Sequence, residues 1–406
     1  MEYSFWDQTL EGRVGGVLDR YTVVYKVIKP FLFVYFFIRY NVRFVHFKPM
    51  EGSKPPYLVF CNHVSDWDPF FIAFCFPFPV FFVASDHLFR LGFKSRLFRF
   101  LVAPIPIQKT KKDVRTIRDM MAYLQKGRSV CVFAEGNRSW SGQTEPIPPT
   151  IGRMVQLMDA TLLLCRIRGG YLMNPRWGHY LRRGRVDCRV VREVTPQGIA
   201  AMDVEAINAL IQKELFVDAM ADQAQNPIAY HGKAPAEDIE TLLYACPECG
   251  CFQTIHSQGE KASCSFCGLT FTFSPYGKLP GTPFETVGEW NKWQHGHLRA
   301  EIEKRLRDGD TDKLFFDRGQ LLYSFERAKK SRLVDKGTFA MYLDKFVFEA
   351  GGKKQEFYFN KTADVSVIGR MRFQFTLTDG SSYEVKSELP RSAYLYLKAY
   401  ELITRL

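Results

Sequence analysis

Buried strands alternate with amphipathic helices along the central part of the chain, and this pattern constrains the fold more than any other feature. Three short apolar runs, residues 57–61, 129–134 and 160–165, are separated by segments with helical spacing. Such alternation is typical of α/β domains, in which helices connect parallel strands. The sequence therefore predicts an α/β domain over residues 49–238, with a largely parallel sheet flanked by helices.

The composition is that of a folded protein with several domains. Its 406 residues exceed one ordinary domain of ~150 residues and allow two or three. A hydrophobic fraction of 46% and a charged fraction of 24% exclude a disordered chain and a polytopic membrane protein. The net charge of +12 and the 36 Phe residues favour an anionic membrane surface as partner, although composition alone also fits nucleic acid.

The N-terminal region contains an apolar, aromatic segment with basic residues at both ends. Its unbroken apolar part is residues 31–38, between Pro30 and Arg39. A membrane-spanning helix needs about 20 apolar residues, so this run predicts a segment that dips into one leaflet without crossing. Residues 1–48 are therefore predicted to be an interfacial membrane segment. The alternative is a helix buried in the core.

The first residues lack the basic region and the cleavage site of a secretory signal. A disulfide framework is also typical of short secreted chains and does not fit this length. The expected location is the reducing, cytoplasmic face of a membrane, with peripheral or monotopic attachment.

Five of the ten cysteines fall within 22 residues. They include two Cys-x2-Cys pairs, each followed by glycine: Cys246, Cys249, Cys264 and Cys267. Four thiolates with this spacing complete a tetrahedral Zn²⁺ site without an open position, which predicts a zinc ribbon over residues 241–275 and a structural metal. A redox dithiol pair is the alternative. Cys251 is left over, and His256 is expected at the surface.

A histidine and an aspartate lie just after the first predicted strand. If a helix begins near Ser65 or Asp66, His63 stays in the loop and Asp68 lies in the first helical turn. The carboxylate then folds back onto the imidazole, fixes its tautomer and raises its basicity, as in a serine hydrolase without the serine. The nucleophile would be a substrate hydroxyl. The alternative is a structural hydrogen bond.

A second polar loop follows the strand at 129–134. It begins with Glu135 and Gly136 and continues through Arg138 and Ser139. A turn that presents Arg and Ser is suited to holding a phosphate and an adjacent hydroxyl. The alternative is a solvated turn.

Together the two loops resemble the motifs of the glycerolipid acyltransferases, the 1-acyl-glycerol-3-phosphate O-acyltransferase family. The pattern is Asn-His-x4-Asp followed by Phe-x-Glu-Gly-x-Arg-Ser, and the resemblance covers about residues 50–195. It implies that His63 is the general base and Asp68 its orienting partner, without a catalytic cofactor. It also implies a substrate-binding set: Asn62, Ser65, Lys109, Glu135, Gly136, Asn137, Arg138 and Ser139.

The chain departs from the family pattern at three places. Lys109 stands where Arg is common, and it keeps the charge but loses bidentate phosphate geometry. Asn137 replaces the usual Thr, and Leu164-Cys165-Arg166 occupies the place of a Val-Pro pair. These changes bear on the identity of the acceptor more than on the chemistry.

Two basic stretches fit a membrane partner. Residues 85–118 carry nine Lys or Arg against two Asp, and residues 166–192 carry eight Arg against one Asp. With the aromatic residues between them, they are predicted to meet anionic lipid. The Phe-rich run over residues 70–83 suits acyl chains better than phosphodiesters, so nucleic acid is not expected as a partner.

The C-terminal part predicts a different architecture. Residues 276–310 are expected to form a helical linker. Residues 311–406 show short alternating runs, a hairpin signal at Asp379-Gly380 and a terminal helix. This order predicts a mostly antiparallel β module capped by a helix, which resembles pleckstrin-homology or GRAM-type modules.

These observations predict a peripheral membrane enzyme. It would transfer an acyl group from acyl-CoA or an acyl carrier protein to the free hydroxyl of 1-acyl-glycerol-3-phosphate in phospholipid synthesis. One alternative is another lysophospholipid acceptor. The other is a catalytically inactive zinc-ribbon protein that binds lipid or protein.

Overall fold

The computed structural model describes residues 10–85, 103–107, 114–325 and 331–405, with side chains from residue 21 onward. The described residues form two compact units. The first unit contains the chain up to residue 139, together with residues 143–173 and 183–222. The second contains residues 140–142, 174–182 and the chain from residue 223.

The first unit alternates strands and helices. In chain order its elements are α1 Leu10–Tyr40, β1 Val42–Phe44, β2 Tyr57–Cys61, α2 Asp68–Cys75, β3 Val80–Ser85, β4 Ile105–Ile107, α3 Val114–Gln125, β5 Ser129–Phe133, α4 Thr150–Met158, β6 Thr161–Arg168, α5 Gly170–Met173, β7 Val186–Val194, α6 Pro196–Ala200, α7 Val204–Leu215 and α8 Ala219–Gln225.

The described strands of this unit form one sheet in the order β1-β7-β6-β2-β5-β3-β4. Five neighbouring pairs are parallel, and β7 is antiparallel to β6. The α/β prediction with a largely parallel sheet is confirmed. All five residues of β2 are buried, as expected for a central strand covered on both faces.

The helix α1 differs from the sequence prediction. It is continuous for 31 residues and includes Pro30. Among the described helices, α1 has a section, Tyr21–Tyr40, that by its length and composition could cross a membrane. The prediction that this segment is too short was wrong, because it counted only the unbroken run and left out the apolar residues before Pro30.

One side of α1 packs onto the first unit. The Tyr25 hydroxyl donates to the carbonyl oxygen of Ala73 at 2.7 Å, and the fully buried Phe36 packs edge-on against Phe71 at 5.2 Å between ring centroids. The other side carries exposed apolar residues three or four positions apart: Val23, Val27, Phe31, Val34 and Ile38. The helix therefore has one docked face and one apolar face outside the protein core.

The second unit consists of a small sheet, a long helix and a larger sheet. In chain order its elements are β8 Ile255–Gln258, β9 Lys261–Cys264, β10 Thr270–Thr272, α9 Val287–Asp308, β11 Phe315–Phe325, β12 Arg332–Met341, β13 Lys345–Ala350, β14 Lys353–Tyr358, β15 Thr362–Ile368, β16 Arg372–Leu377, β17 Ser382–Ser387 and α10 Ala393–Ile403, with short 3-10 turns at Ile239–Thr241 and Phe359–Lys361.

The larger sheet has the order β14-β13-β12-β11-β17-β16-β15 within the described residues, and all its pairs are antiparallel. The helix α10 packs its aromatic residues onto it, with Tyr396 at 5.1 Å from Phe339 and Tyr400 at 5.1 Å from Phe359 between ring centroids. The predicted antiparallel module with a terminal helix is confirmed. Its identification as pleckstrin-homology or GRAM-like stays a prediction.

Two short stretches from the middle of the sequence are built into the second unit. Trp140 stacks on Tyr394 at 4.5 Å between ring centroids. Arg176 donates to the carbonyl oxygens of Val367 and Gly369, both at 2.8 Å. The polypeptide therefore passes from the first unit into the second and back before the C-terminal part begins.

Candidate active site and candidate metal centre

The candidate active site lies where β2 and β5 end. These strands are parallel neighbours, with Cys61 opposite Phe133 in the register. Their carboxyl ends open into adjacent loops, which carry His63 and Glu135. Loops at the carboxyl ends of parallel strands are where α/β proteins hold ligands. The sheet order thus brings together two motifs that are 72 residues apart in the sequence.

His63 and Asp68 are in direct contact. Nδ1 of His63 lies 2.8 Å from Oδ2 of Asp68, which is the first residue of α2 and fully buried. Since a carboxylate only accepts hydrogen bonds, Nδ1 carries the ring hydrogen. Nε2 is then the nitrogen with basic character.

The Asp68 carboxylate is anchored by three further hydrogen bonds. Oδ2 accepts from the backbone N–H groups of Val64 and Ser65 at 2.7 and 2.9 Å, and Oδ1 accepts from the Ser65 hydroxyl at 2.8 Å. A buried carboxylate is stable only when its oxygens are paired in this way. The Asp68 carboxylate is therefore held rigidly, and it fixes the orientation of the imidazole.

The imidazole of His63 also rests on an aromatic ring. Its plane lies 18° from that of Phe133, with ring centroids 4.1 Å apart. The side chain of His63 is 20% exposed. The ring is thus held on one face and at one nitrogen, while part of it faces the exterior.

Glu135 holds the backbone that carries the histidine. Oε1 accepts from the N–H of His63 and Oε2 from the N–H of Glu145, each at 2.6 Å. Burial raises the pKa of Glu135 to about 8, against the opposing effect of the two backbone N–H groups. Both carboxylate oxygens are therefore bound to backbone N–H groups of the chain itself.

The same loop supports His63 from a second side. The N–H of Ser139 donates to the carbonyl oxygen of His63 at 2.9 Å. Gly136 begins the loop with φ at +68°, a conformation that L side chains rarely adopt. The loop from 135 to 139 therefore brackets the backbone of His63 on both sides.

Arg138 lies beside the histidine loop. Its guanidinium is 3.1 Å from Oδ2 of Asp66, and the two side chains are 11% and 74% exposed. Asn137 is half-buried next to it. The guanidinium is thus largely covered, and its carboxylate partner is exposed at the edge of the His63 loop. Lys109, predicted as the second phosphate ligand, lies outside the described residues.

Asn62 and Ser65 make hydrogen bonds inside the fold. The Asn62 amide donates to the carbonyl oxygen of Ile167 at 2.9 Å and accepts from its N–H at 2.8 Å. The Ser65 hydroxyl accepts from the N–H of Trp67 at 3.1 Å in addition to its bond to Asp68. Both side chains thus shape the loop that contains His63.

Sequence reasoning did not identify Phe133 and Glu145 as parts of this site. Phe133 stands two residues before Glu135, at the end of a strand. This position could have indicated that its ring packs against the imidazole. Glu145 contributes only its backbone N–H, which no side-chain motif indicates.

The predicted metal ligands come together in the second unit. The thiol sulfurs of Cys246, Cys249, Cys264 and Cys267 all lie within 4.8 Å of one another. The sulfur atoms of Cys246 and Cys267 are 3.6 Å apart, and those of Cys249 and Cys264 are 3.8 Å apart. Four ligands at the Zn–S distance of about 2.3 Å stand ~3.8 Å apart in a tetrahedron. The donor set therefore fits a bound metal ion such as Zn²⁺.

Each Cys-x2-Cys pair closes with a tight turn. Gly250 and Gly268 have φ at +72° and +78°, and each donates its N–H to the carbonyl oxygen of the first cysteine of its pair. These turns aim the two sulfurs of a pair at one point. Cys251 and the exposed His256 are not members of the group of four.

Comparison with known proteins identifies the region that contains the candidate active site. Residues 41–168 match the family model named Acyltransferase. A search of curated protein sequences finds no match to the chain.

Solved structures give distant likenesses. The 1-acyl-sn-glycerophosphate (LPA) acyltransferase PlsC from Thermotoga maritima is 18% identical, and the match covers 49% of this chain and 78% of that one with a TM-score of 0.35. The C-terminal domain of an unknown protein from Leishmania infantum is 8% identical, with coverages of 26% and 95% and a TM-score of 0.17. At these scores, neither likeness adds to the family match. Residues 41–168 therefore form an acyltransferase domain.

Proposed function

We propose that this enzyme transfers an acyl group from an acyl thioester to the free hydroxyl of a 1-acyl-glycerol-3-phosphate. The observation that carries the proposal is the 2.8 Å contact between His63 and Asp68 inside the region that matches the Acyltransferase family. A histidine oriented by a buried carboxylate is the arrangement that activates a hydroxyl. The chain supplies the base, and the substrate supplies the nucleophile.

The reaction follows from the orientation of the imidazole. Nε2 of His63 accepts the proton of the acceptor hydroxyl as its oxygen attacks the thioester carbonyl carbon. The carbonyl oxygen becomes an oxyanion, and its collapse breaks the carbon–sulfur bond. The thiolate leaves and takes the proton from the imidazolium. The Asp68 carboxylate stabilises the imidazolium between these two steps.

The acceptor phosphate is assigned to the rim formed by Arg138. A phosphate can replace the exposed Asp66 carboxylate on this guanidinium, because both are anions with paired oxygens. Gly136 and Asn137 flank this position, and Lys109 is proposed as a second ligand. Glu135, Asn62, Ser65 and Ser139 would act by holding the His63 loop.

The enzyme is proposed to lie on the cytoplasmic face of a membrane. The exposed apolar stripe of α1 supports attachment to a membrane, because it would enter the lipid while the opposite face stays on the protein. The docked face, with Tyr25 and Phe36, favours a helix that lies along the surface over one that crosses the bilayer.

The four-cysteine group is proposed to hold a structural Zn²⁺ ion. Residues that would bind it are Cys246, Cys249, Cys264 and Cys267. Four sulfur ligands leave no position for a substrate, so the ion would stabilise the ribbon and take no part in acyl transfer.

The test is an acyltransferase assay with the purified full-length protein and lipid vesicles. Acyl-CoA and acyl-carrier protein serve in turn as donors, and acceptors are 1-acyl-glycerol-3-phosphate and lysolipids with larger headgroups. We expect the highest kcat/KM with the phosphate monoester. Preference for a zwitterionic lysolipid would contradict the assigned acceptor, and transfer to no lysolipid would contradict the proposed reaction.

A further inference from the structure

Six arginines line one face of the sheet in the first unit. Five lie on β1, β6 and β7, and the sixth directly precedes β7: Arg43, Arg166, Arg168, Arg189, Arg192 and Arg185. Arg43 and Arg168 both stand beside Asp187 in the register, and Arg189 stands beside Arg166. A register shift at Val191 then puts Arg192 beside Leu164, two residues before Arg166. Residues opposite each other in a sheet point to the same side. We refer to this surface as the arginine face.

The arginine face lies on the side of the sheet opposite α1. Between Asp187 and Arg189, Cys188 points the other way, and its sulfur lies 3.5 Å from that of Cys75 on α2. The neighbouring Phe44 of β1 packs against Phe33 of α1, with ring centroids 4.8 Å apart. Because successive residues of a strand alternate in direction, Asp187 and Arg189 point away from α1 and α2.

Five of the six arginines on this face are exposed, and the face has an excess of positive charge. Arg168 and Arg185 are each 48% exposed, and Arg43, Arg189 and Arg192 are exposed as well. Its described ion pairs all join an arginine to a carboxylate of the same unit: Arg185 to Asp187, Arg168 to Asp222 and Arg166 to Glu214. The exposed guanidinium groups are thus accessible to the carboxylates of a binding partner.

The arginine face begins beside the candidate active site. The strand β6 runs parallel to β2, with Cys165 opposite Cys61. Just beyond that pair, the Asn62 amide binds the backbone of Ile167, which directly precedes Arg168. Arg168 and His63 therefore leave the sheet at the same edge.

We propose that the arginine face docks an acidic carrier protein that presents the acyl thioester to His63. This inference rests on the proposed acyl transfer. Lipid is disfavoured because the arginines and the apolar stripe of α1 are on opposite sides of the sheet. The arginines are spread over three neighbouring strands, β6, β7 and β1, which lie about 4.8 Å apart. Charges spread over several strands match the repeated carboxylates of an acidic helix better than a single nucleotide, which binds in a concave pocket.

The test compares two donors on the same full-length protein. Acyl-carrier protein and acyl-CoA are used with wild type and with Arg189→Glu/Arg192→Glu. We expect the KM for acyl-carrier protein to rise about tenfold relative to the KM for acyl-CoA, since rim charges act on association between proteins. In wild type, the KM for acyl-carrier protein should rise with added salt more than the KM for acyl-CoA does. Arg43→Glu, on another strand, gives an independent second variant.

The matched control is Arg299→Glu/Arg307→Glu, which changes the same net charge on exposed positions of α9 in the second unit. An equal effect of this control, or an equal rise in KM for acyl-CoA, would overturn the proposal. Loss of vesicle binding by the β7 variant would assign the face to lipid instead.

Direct binding of the holo-carrier protein to the immobilised enzyme separates this inference from the proposed function. If wild type transfers no acyl group but still binds the carrier protein through these arginines, only the proposed reaction fails. If wild type transfers acyl groups and the β7 variant binds the carrier protein as well as wild type does, only the docking surface fails.

Discussion

At the scale of single residues, His63 determines the chemistry. Replacing it by Ala should lower kcat by ~10²–10⁴-fold, because the positioned base is removed. Zinc content and thermal unfolding should stay close to wild type, since the ring lies in a loop and is 20% exposed. The exposed His46, changed to Ala, is the control in the same unit. Near-normal turnover of the His63 variant would contradict the mechanism.

Glu135 should make stability depend on pH. Its pKa is raised from the ordinary value of 4.5 to about 8, so the folded protein binds this proton more tightly than the unfolded chain does. The free energy of unfolding should therefore fall as the pH rises from about 4.5 to 8, by at most ~1.4 kcal/mol per pH unit. Denaturant unfolding at several pH values measures the slope.

Glu135→Gln is the comparison for that slope. At pH 4.5 and below, the variant should be less stable than wild type, because its amide NH₂ group faces a backbone N–H that a carboxyl oxygen of Glu135 accepts in wild type. The free energy of unfolding of the variant should not show the decline that wild type shows between pH 4.5 and 8. An unchanged slope would show that another group causes the dependence.

The contact between His63 and Asp68 could be predicted from the sequence, because the two residues are close in the chain and a helix that begins between them folds Asp68 back toward His63. The motif pattern assigned Glu135 to the acceptor, whereas the carboxylate binds the backbone of His63. That contact depends on β2 and β5 being neighbours, and strand order cannot be read from the residues of either loop. Motif spacing thus predicts local contacts better than contacts between strands.

At the scale of elements, the outer face of α1 should bind lipid. Val27→Glu/Phe31→Glu should weaken flotation with anionic vesicles at least about tenfold, because it removes two apolar side chains from the lipid contact. Both residues are exposed, at 55% and 73%, so the fold should survive. Leu333→Glu/Val334→Glu alters exposed apolar residues of the second unit and is the control. Equal loss in both variants would contradict the assignment to α1.

The ribbon should contain one zinc ion per chain. Cys246→Ser/Cys264→Ser removes one ligand from each turn and should abolish metal retention in elemental analysis. Cys251→Ser is the matched control, because Cys251 lies outside the group of four. Less than half an equivalent of zinc in wild type, or zinc retained by the double variant, would count against the site.

Helix faces show where sequence patterns are limited at this scale. The spacing of Val114, Ile117, Met121 and Leu124 predicts one buried face on α3. In the structure Thr116, Met120 and Leu124 are buried, and Val114 is 57% exposed. Thr116 turns inward because its hydroxyl donates to the carbonyl oxygen of Pro106 at 2.8 Å. A polar residue that is hydrogen-bonded to the backbone can thus replace an apolar one in the core. The spacing of apolar residues does not predict such a replacement.

At the scale of the whole molecule, truncation after residue 240 should fail to give a stable enzyme. The fragment retains Trp140, Arg176 and Arg182, whose partners lie largely in the deleted chain. Arg182 is 2% exposed and packs over Phe273, so the truncation uncovers a buried charge. We expect low soluble yield and rapid proteolysis compared with the full chain. A cooperatively unfolding, active fragment would contradict this.

The passage of the chain through the second unit and back also has a consequence for its synthesis. A ribosome adds ~5–20 residues per second, so residues 174–182 emerge about 10–45 s before the last strands and α10 exist to receive them. During that interval Trp140 and Trp177, both nearly inaccessible in the finished protein, have no final neighbours to cover them. The middle of the nascent polypeptide thus exposes apolar side chains that chaperones can bind, long after the N-terminal helix has left the exit tunnel.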